Sequence, residues 1–151
     1  KEVFSMYQKV LVPLDGSPLA ECALSEVKHL AKGGFIGEVF LVNVVETYSI
    51  AFAESLDASA LLAAHRDAAQ DYLERIMKQL ISEGIRTKME LLEGSPAQAI
   101  VSYAKENKAN LIVIATHGHT GMARLMFGSV ALRVLHDAHT PVLLIRPEEC
   151  R

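Results

Sequence analysis

The chain has 151 residues, of which 50% are hydrophobic and 22% charged, and its formal net charge is −3. This length is typical of one domain with a conventional core, and the composition excludes disordered and fibrous proteins. The 15 basic residues are scattered and do not outnumber the 18 acidic ones, so the charge pattern does not favour a nucleic acid or a membrane surface as a partner.

The cysteine usage and the termini predict where the protein resides. Cys22 lies inside the first predicted helix and Cys150 next to the C-terminus, which does not indicate a disulfide framework and fits a reducing compartment. No apolar run approaches the roughly 18–20 residues that cross a bilayer, and no signal pattern opens the chain. We therefore expect a cytoplasmic protein. Met6 resembles a natural start, so residues 1–5 would be a cloning remnant or a short extension without structural weight.

Short apolar runs closed by turn residues predict five strands. Continuous apolar runs are typical of strands that are buried on both faces of a sheet. The predicted strands cover residues 9–14, 38–45, 87–92, 111–115 and 141–145.

The segments between these strands carry apolar residues at a spacing of 3.6 residues, which predicts amphipathic helices. Pro18 suits a first helical turn, and Gly33–Gly34 and Gly84 end helices. The predicted helices cover residues 18–32, 60–83, 97–106 and 128–135. Residues 46–59 show no clear period and are long for a connection, which makes them a candidate lid or partner surface.

Strands that alternate with helices predict βαβ units and therefore a parallel sheet with helices on both faces. Such sheets bind ligands beyond the carboxyl ends of their strands, where the strand order reverses. The loops after strands one and four are therefore the places to search for a site.

The loop after strand four is rich in glycine, and a glycine and a serine open the following helix. Gly118 and Gly121 lie in this loop, and Gly128 and Ser129 stand at the helix start. Glycine lets a backbone approach a ligand closely, and the free N–H groups of a helix start favour a phosphate. The pattern predicts a phosphate cradle; the alternative is that the glycines only allow a turn and that Ser129 only caps a helix.

Two better-known nucleotide motifs are missing from the sequence. It contains no Gly-x-x-x-x-Gly-Lys-Ser/Thr, and no Gly-x-Gly-x-x-Gly follows the first strand. The chain is therefore neither a P-loop protein nor a dinucleotide-binding protein of the usual kind.

From Met6 to Arg146 the sequence resembles the universal stress protein family, specifically its ATP-binding branch. The family signature is Gly-x-x-Gly, nine residues, then Gly-Ser or Gly-Thr, and it maps onto Ala115, Gly118, Gly128 and Ser129, with alanine in place of the first glycine. Since Ala115 closes a strand, we expect it to keep a negative φ, so that its methyl group weakens a contact and does not forbid binding.

Other landmarks of the family match as well. Residues 13–17 resemble the loop whose proline and aspartate contact adenine and ribose, Val44 matches the valine that packs on the base, and Gly94 resembles the glycine that ends strand three. Without the resemblance, Asp15 before Gly-Ser is equally typical of a turn or a helix cap.

The residue pattern and the resemblance together predict the fold and the site. The expected fold is a single α/β domain over residues 1–151, doubly wound in three layers, with a five-stranded, mainly parallel sheet in the order 3-2-1-4-5. The predicted nucleotide-binding residues are Pro13, Asp15, Gly16, Ser17, Val44, Gly94, Ala115, Thr116, His117, Gly118, Gly121, Arg124, Gly128, Ser129 and Val130.

The expected ligand is ATP, or AMP or ADP, with Mg²⁺ or Mn²⁺ held through the phosphates. We expect no metal site from protein side chains alone, because His117 and His119 lack an identified third ligand. A phosphotransferase needs a positioned base and a cation on the transferring phosphate, but the sequence shows no such base and no lysine in the glycine loop. Binding is therefore favoured over catalysis. Slow ATP hydrolysis and a sensor of AMP or cyclic AMP are the alternatives. A phosphoacceptor receiver domain is rejected, because Asp15 stands alone after strand one.

The last strand should form an edge of the sheet, and an apolar edge is prone to pairing. The resemblance implies a homodimer joined through Val142, Leu143, Leu144 and Ile145. The alternative is an edge covered by the C-terminal tail.

Overall fold

The computed structural model describes residues 5–47, 58–116 and 128–147, in which strands and helices alternate. The elements are β1 (Tyr7–Pro13), α1 (Pro18–Lys32), β2 (Ile36–Val45), α2 (Ala58–Ser82), β3 (Thr87–Glu93), α3 (Pro96–Glu106), β4 (Leu111–Ala115), α4 (Ser129–Asp137) and β5 (Val142–Ile145). Each predicted strand and helix is present, with ends that differ by at most two residues from those expected. Of the predicted lid or partner surface, residues 48–57 lie outside the described part.

The five strands form one sheet in the order β3-β2-β1-β4-β5, and all four neighbouring pairs are parallel. The predicted α/β fold and strand order are confirmed. The order reverses between β1 and β4, because the chain runs outward to β3 on one side and then returns to β4 on the other. This is the switch point at which open parallel sheets place their ligands.

Helices cover both faces of the sheet. One core cluster joins the sheet to α1 and α2 and includes Val10, Val12 and Leu73, while a second joins the opposite face to α3 and α4 and includes Leu11 and Ile100. β4 and the second half of β1 are therefore buried on both faces, which explains why their sequences are continuous apolar runs. Among the described helices, none is both long and apolar enough to cross a membrane.

Cys22 does not fit the expectation drawn from the sequence. It is disulfide-bonded, a bond that the cysteine positions in the sequence did not indicate. The only other cysteine of the sequence is Cys150, which lies outside the described residues. Cys22 is 5% exposed on α1, and its Sγ lies 3.8 Å from the carbonyl oxygen of Pro147. The fold thus brings the chain beyond β5 back onto α1, a proximity that sequence spacing does not reveal.

Candidate functional site

A cavity of about 390 Å³ opens at the carboxyl ends of the strands, at the switch point between β1 and β4. Eight of the fifteen predicted site residues line it: Pro13, Asp15, Val44, Ala115, Thr116, Gly128, Ser129 and Val130. The structure therefore brings the loop after β1, the end of β2, the end of β4 and the start of α4 into one site.

The start of α4 faces this cavity without a cap of its own. Gly128 is the N-cap residue and provides no side-chain cap. The first turn carries no acidic residue, and no side chain in the described part of the chain caps it. The N–H of Gly128 donates to the carbonyl oxygen of Thr116, which holds the helix start against the end of β4. The N–H groups of Ser129, Val130 and Ala131 have no partner within the helix, as at any helix start.

The start of α1, on the other side of the cavity, is capped by the chain itself. Ser17 Oγ accepts a hydrogen bond from the N–H of Ala20 at 3.1 Å and donates to Asp15 Oδ1 at 2.5 Å. The N–H of Ser17 also donates to Asp15 Oδ1, at 2.9 Å. The turn and cap alternative for Asp15 is therefore realised in the structure, and the same contacts fix the carboxylate at the cavity wall.

The end of β2 offers backbone groups to the cavity. In a parallel sheet, successive residues of a strand direct their N–H and C=O to alternate neighbours. The carbonyl of Val42 accepts from Leu14 N at 2.8 Å on the β1 side, and that of Val45 accepts from Gly94 N at 3.1 Å on the β3 side. Val44 therefore directs its N–H and C=O toward the β1 side, where β1 has already ended.

The remaining predicted site residues fall into two groups. His117, Gly118, Gly121 and Arg124 lie outside the described residues. The other three are described but do not line this cavity: Ser17 is buried as a helix cap, Gly16 has φ +86°, and Gly94, with φ +119°, directly follows β3. Lys108 is the only non-glycine residue with a positive φ in the described part of the chain, so Ala115 has the negative φ that was expected.

The cavity also has walls that the sequence analysis missed. Asn43 and Glu46 at the end of β2, Pro96 and Ile100 of α3, and Ala131 of α4 line it. No motif marks these residues, although the end of β2 could have been identified as a wall because it neighbours β1 in a parallel sheet. The described lining contains the carboxylates of Asp15 and Glu46 and no lysine or arginine.

A second cavity of about 520 Å³ adjoins the first and shares Asp15, Asn43, Val44 and Glu46 with it. Its far wall is the face of α2 that carries His65 and Tyr72, and Gly16 lies at its rim. The Tyr72 hydroxyl is buried without a hydrogen-bond partner among the described residues. Burial, followed by the carboxylates of Glu21 and Asp15, raises the pKa of this phenol well above its usual value.

Metal ligands do not cluster in the part of the chain that is described, where no group of three His, Cys, Asp or Glu side chains could hold an ion. The chemistry of this site therefore rests on backbone N–H groups at one end and on carboxylate and backbone groups at the other.

Residues 6–146 match the sequence model of the universal stress protein family. The chain belongs to this family. Among the relatives of this universal stress protein is the universal stress protein MJ0531 of Methanocaldococcus jannaschii, which is 34% identical over 143 residues covering 94% of this chain and 84% of that protein.

Solved structures of the family share the fold. The structure of MJ0577 from the same organism superposes with a TM-score of 0.84 at 31% identity, covering 93% of this chain and 96% of that one. A universal stress protein from Archaeoglobus fulgidus, solved in complex with dAMP, superposes with a TM-score of 0.63 over 93% of this chain and 98% of that one. At 24% identity, this second likeness shows the fold alone.

Proposed function

We propose that this universal stress protein binds an adenine nucleotide, ATP in the first place, as a regulatory module of the stress response. The observation that carries the proposal is the uncapped start of α4, which opens into a cavity at the switch point of the sheet. The rest of the cavity wall supports the same assignment.

The phosphates are assigned to the start of α4. Ser129, Val130 and Ala131, whose N–H groups have no partner within the helix, line the cavity, and the helix dipole favours an anion. Hydrogen bonds to a charged group contribute about 1.5–3 kcal/mol each, so three of them supply about 4.5–9 kcal/mol toward the roughly −8 kcal/mol of micromolar binding. Gly118, Gly121 and Arg124 are proposed to complete this end.

The nucleoside is assigned to the opposite end, at Asp15 and Val44. A carboxylate accepts hydrogen bonds from ribose hydroxyls, and the two bonds from Ser17 hold the Asp15 carboxylate at the cavity wall. The adjacent N–H and C=O of Val44 match the ring nitrogen and the exocyclic amine of adenine. Guanine has a ring N–H donor and a carbonyl acceptor at these two positions, the reverse of adenine, so the backbone of Val44 favours adenine.

Calorimetric titration tests the assignment. ATP, ADP, AMP and cyclic AMP are titrated with and without Mg²⁺, and GTP serves as the control for the base. We expect micromolar binding of ATP and weaker binding of AMP, which has fewer phosphate oxygens for α4. Magnesium would be held through the phosphates and water. Equal affinity for ATP and GTP would contradict the Val44 assignment, and no binding of any nucleotide would contradict the proposal.

Binding is proposed without efficient turnover, by one domain that acts in the cytoplasm. The described cavity wall has no lysine or arginine that could act on a transferring phosphate. Phosphate release from ATP should therefore stay near the uncatalysed rate. A turnover well above background that disappears in Gly118→Val would favour the ATPase alternative.

A homodimer through β5 is proposed for the assembly. This edge strand has four half-buried apolar residues, Val142, Leu143, Leu144 and Ile145, and pairing with a second copy would cover its open edge. Light scattering at micromolar concentration should give the mass of a dimer. A monomeric mass would favour the alternative, in which the C-terminal tail covers the edge.

A further inference from the structure

The second cavity, of about 520 Å³, adjoins the one assigned to the nucleotide and has no role in that assignment. We propose that it is a subsite for a group attached to a ribose hydroxyl, and that this group is an acyl or carbamoyl chain that ends in an ammonium. The ligand class is therefore a ribose-acylated adenine nucleotide. The inference rests on the proposed function, because the ribose must lie at Asp15 for the group to enter this cavity.

The two cavities meet where the ribose is assigned. Asp15, Asn43, Val44 and Glu46 line both of them, and two hydrogen bonds from Ser17 hold the Asp15 carboxylate there. With the ribose hydroxyls at Asp15, a substituent on one of them starts at the wall that both cavities share. The volume of the second cavity lies within the roughly 300–1,000 Å³ of small-molecule sites, so it has room for such a group beside the nucleotide.

The charge of the second cavity selects what the substituent carries. Its described lining contains the carboxylates of Asp15 and Glu46 and no lysine or arginine. The imidazole of His65, which is exposed, is the other titratable group there besides Tyr72. Hydrogen bonds from an ammonium to a carboxylate are stronger than neutral ones, whereas a phosphate would be placed beside two carboxylates. The subsite therefore favours a cationic group over an anionic one.

A buried hydroxyl is the reason to expect a carbonyl in the chain. Tyr72 lines the second cavity, and its hydroxyl oxygen is buried with no hydrogen-bond partner in the described structure. Burial raises the pKa of this phenol well above its usual value, so it stays protonated and remains a donor. A buried donor without an acceptor is unfavourable, and a carbonyl oxygen next to the ribose would supply the acceptor.

Small side chains on α2 leave the space open. Ala68 and Ala69 line the second cavity and are not among the described residues of the first. Ala69 is half-buried, so a larger side chain at this position would occupy the cavity. Ala63 lies on the same helix, is exposed and lines neither cavity. Alanine and leucine are both good helix formers, which makes leucine at these two positions a matched pair of variants.

Calorimetry with ribose-modified nucleotides tests the chemistry of the group. 2′(3′)-O-(2-aminoethylcarbamoyl)-ATP carries the carbonyl and the ammonium, whereas 2′(3′)-O-(ethylcarbamoyl)-ATP carries the carbonyl alone. We expect the ammonium compound to bind about tenfold more tightly than the neutral one, and adenosine 3′,5′-bisphosphate to bind about tenfold more weakly than AMP. Equal affinities for the ammonium and neutral compounds, in protein that binds ATP, would overturn the subsite and leave the proposed function standing. No binding of any nucleotide would overturn both.

Free ethylenediamine, added with ATP, distinguishes a linked ammonium from a separate one. A linked group has a high effective concentration at the second cavity, which a free diamine lacks. Millimolar diamine should therefore change the affinity for ATP by less than about twofold. A diamine that tightens ATP binding as much as the linked ammonium does would overturn the assignment of the group to the ribose.

Ala69→Leu tests the location of the group. The added side chain should lower the affinity for the aminoethylcarbamoyl compound about tenfold and that for ATP by less than about threefold, because it fills the second cavity and not the first. Ala63→Leu should bind both ligands as the native protein does. An equal loss for both ligands in Ala69→Leu, or no loss for either, would overturn the placement.

Tyr72→Phe tests the hydroxyl. Since the hydroxyl has no partner in the described structure, its removal should leave Tm unchanged or raise it. The variant should bind the ethylcarbamoyl compound about five- to tenfold more weakly than the native protein, with little change for ATP. Unchanged affinity for the ethylcarbamoyl compound would overturn the role of Tyr72 as the donor to the carbonyl.

Discussion

The N-terminal ends of α1 and α4 lie on two sides of the same cavity, and they differ in how they are capped. α1 has a serine cap bonded to Ala20 N and an acid, Glu21, in its first turn. α4 begins at Gly128 with no side-chain cap and no acid in its first turn. The start of α1 thus has a side-chain cap and an acid from its own sequence, whereas among the described residues the start of α4 has neither. The difference indicates that a missing cap is informative when the helix start faces a cavity.

The strongest way to break this contrast is to give α4 an acid of its own. Ser129→Asp places a carboxylate in the first turn, where it should stabilise the folded protein by about 0.3–1 kcal/mol. The same charge repels phosphate, and we expect the affinity for ATP to fall about 100-fold, or about 2.8 kcal/mol. Calorimetry and thermal unfolding measure the two effects.

The matched control for this variant is Ser129→Asn, which has nearly the same shape without the charge. Its loss of affinity should be much smaller than that of Ser129→Asp. If both variants lose the same affinity, the shape of residue 129 matters and its charge does not, contrary to a phosphate at this helix start.

A smaller change closes the approach to the same N–H groups. Gly128 has φ −56° and ψ 142°, a conformation that other residues adopt, so Gly128→Val should fold. The added side chain at the cavity wall should lower the affinity for ATP about tenfold, or about 1.4 kcal/mol. Ser95→Val, at the N-cap of α3 and outside the described cavity wall, is the control and should bind ATP normally. Unchanged affinity for ATP in Gly128→Val would show that this residue does not belong to the binding site.

The contrast can also be tested at α1, where the expected effect is on stability. Ser17→Ala removes the bond to Ala20 N and should cost about 1 kcal/mol, which lowers Tm by about 2–4 °C. Ser95→Ala is the matched control, because Ser95 is an N-cap without a side-chain cap bond and should change stability by less than about 0.5 kcal/mol. Equal losses of stability in the two variants would show that the side-chain cap of α1 does not stabilise the protein.

The smallest expected effect is a change in the titration of Tyr72. Burial is the main cause of its raised pKa, and the carboxylates of Glu21 and Asp15 add to it. Since the unfolded phenol has a pKa of about 10, the unfolded state loses its proton first, and stability should fall as the pH rises above about 10. In a spectrophotometric titration, Glu21→Gln should move the Tyr72 pKa partly back, whereas Glu26→Gln on the same helix should not.

The sequence predicted the fold well because its signals are local. Buried parallel strands produce continuous apolar runs such as 111–115, and Pro18 and Gly84 mark helix ends regardless of what packs on them. The glycine and serine at 128–129 also predicted the helix start at the cavity. These features depend on the chain's own geometry and therefore appear in the residue pattern.

The features that the sequence did not predict depend on tertiary contacts. Ser17 was expected to contact the nucleotide, but its hydroxyl is bound to Asp15 and Ala20, and only the turn geometry decides between these roles. Asn43 and Glu46 line the cavity because β2 extends past the end of β1. Cys22 forms a disulfide because the chain beyond β5 returns to α1, which no spacing in the sequence reveals.

Amide NMR during a titration with ATP tests the contrast between the two helix starts most directly. We predict large shifts for the N–H groups of Ser129, Val130 and Ala131 and little change for those of Leu19, Ala20 and Glu21. Shifts confined to the start of α1, or absent from both helices while ATP binds, would contradict the assignment of the phosphates to α4.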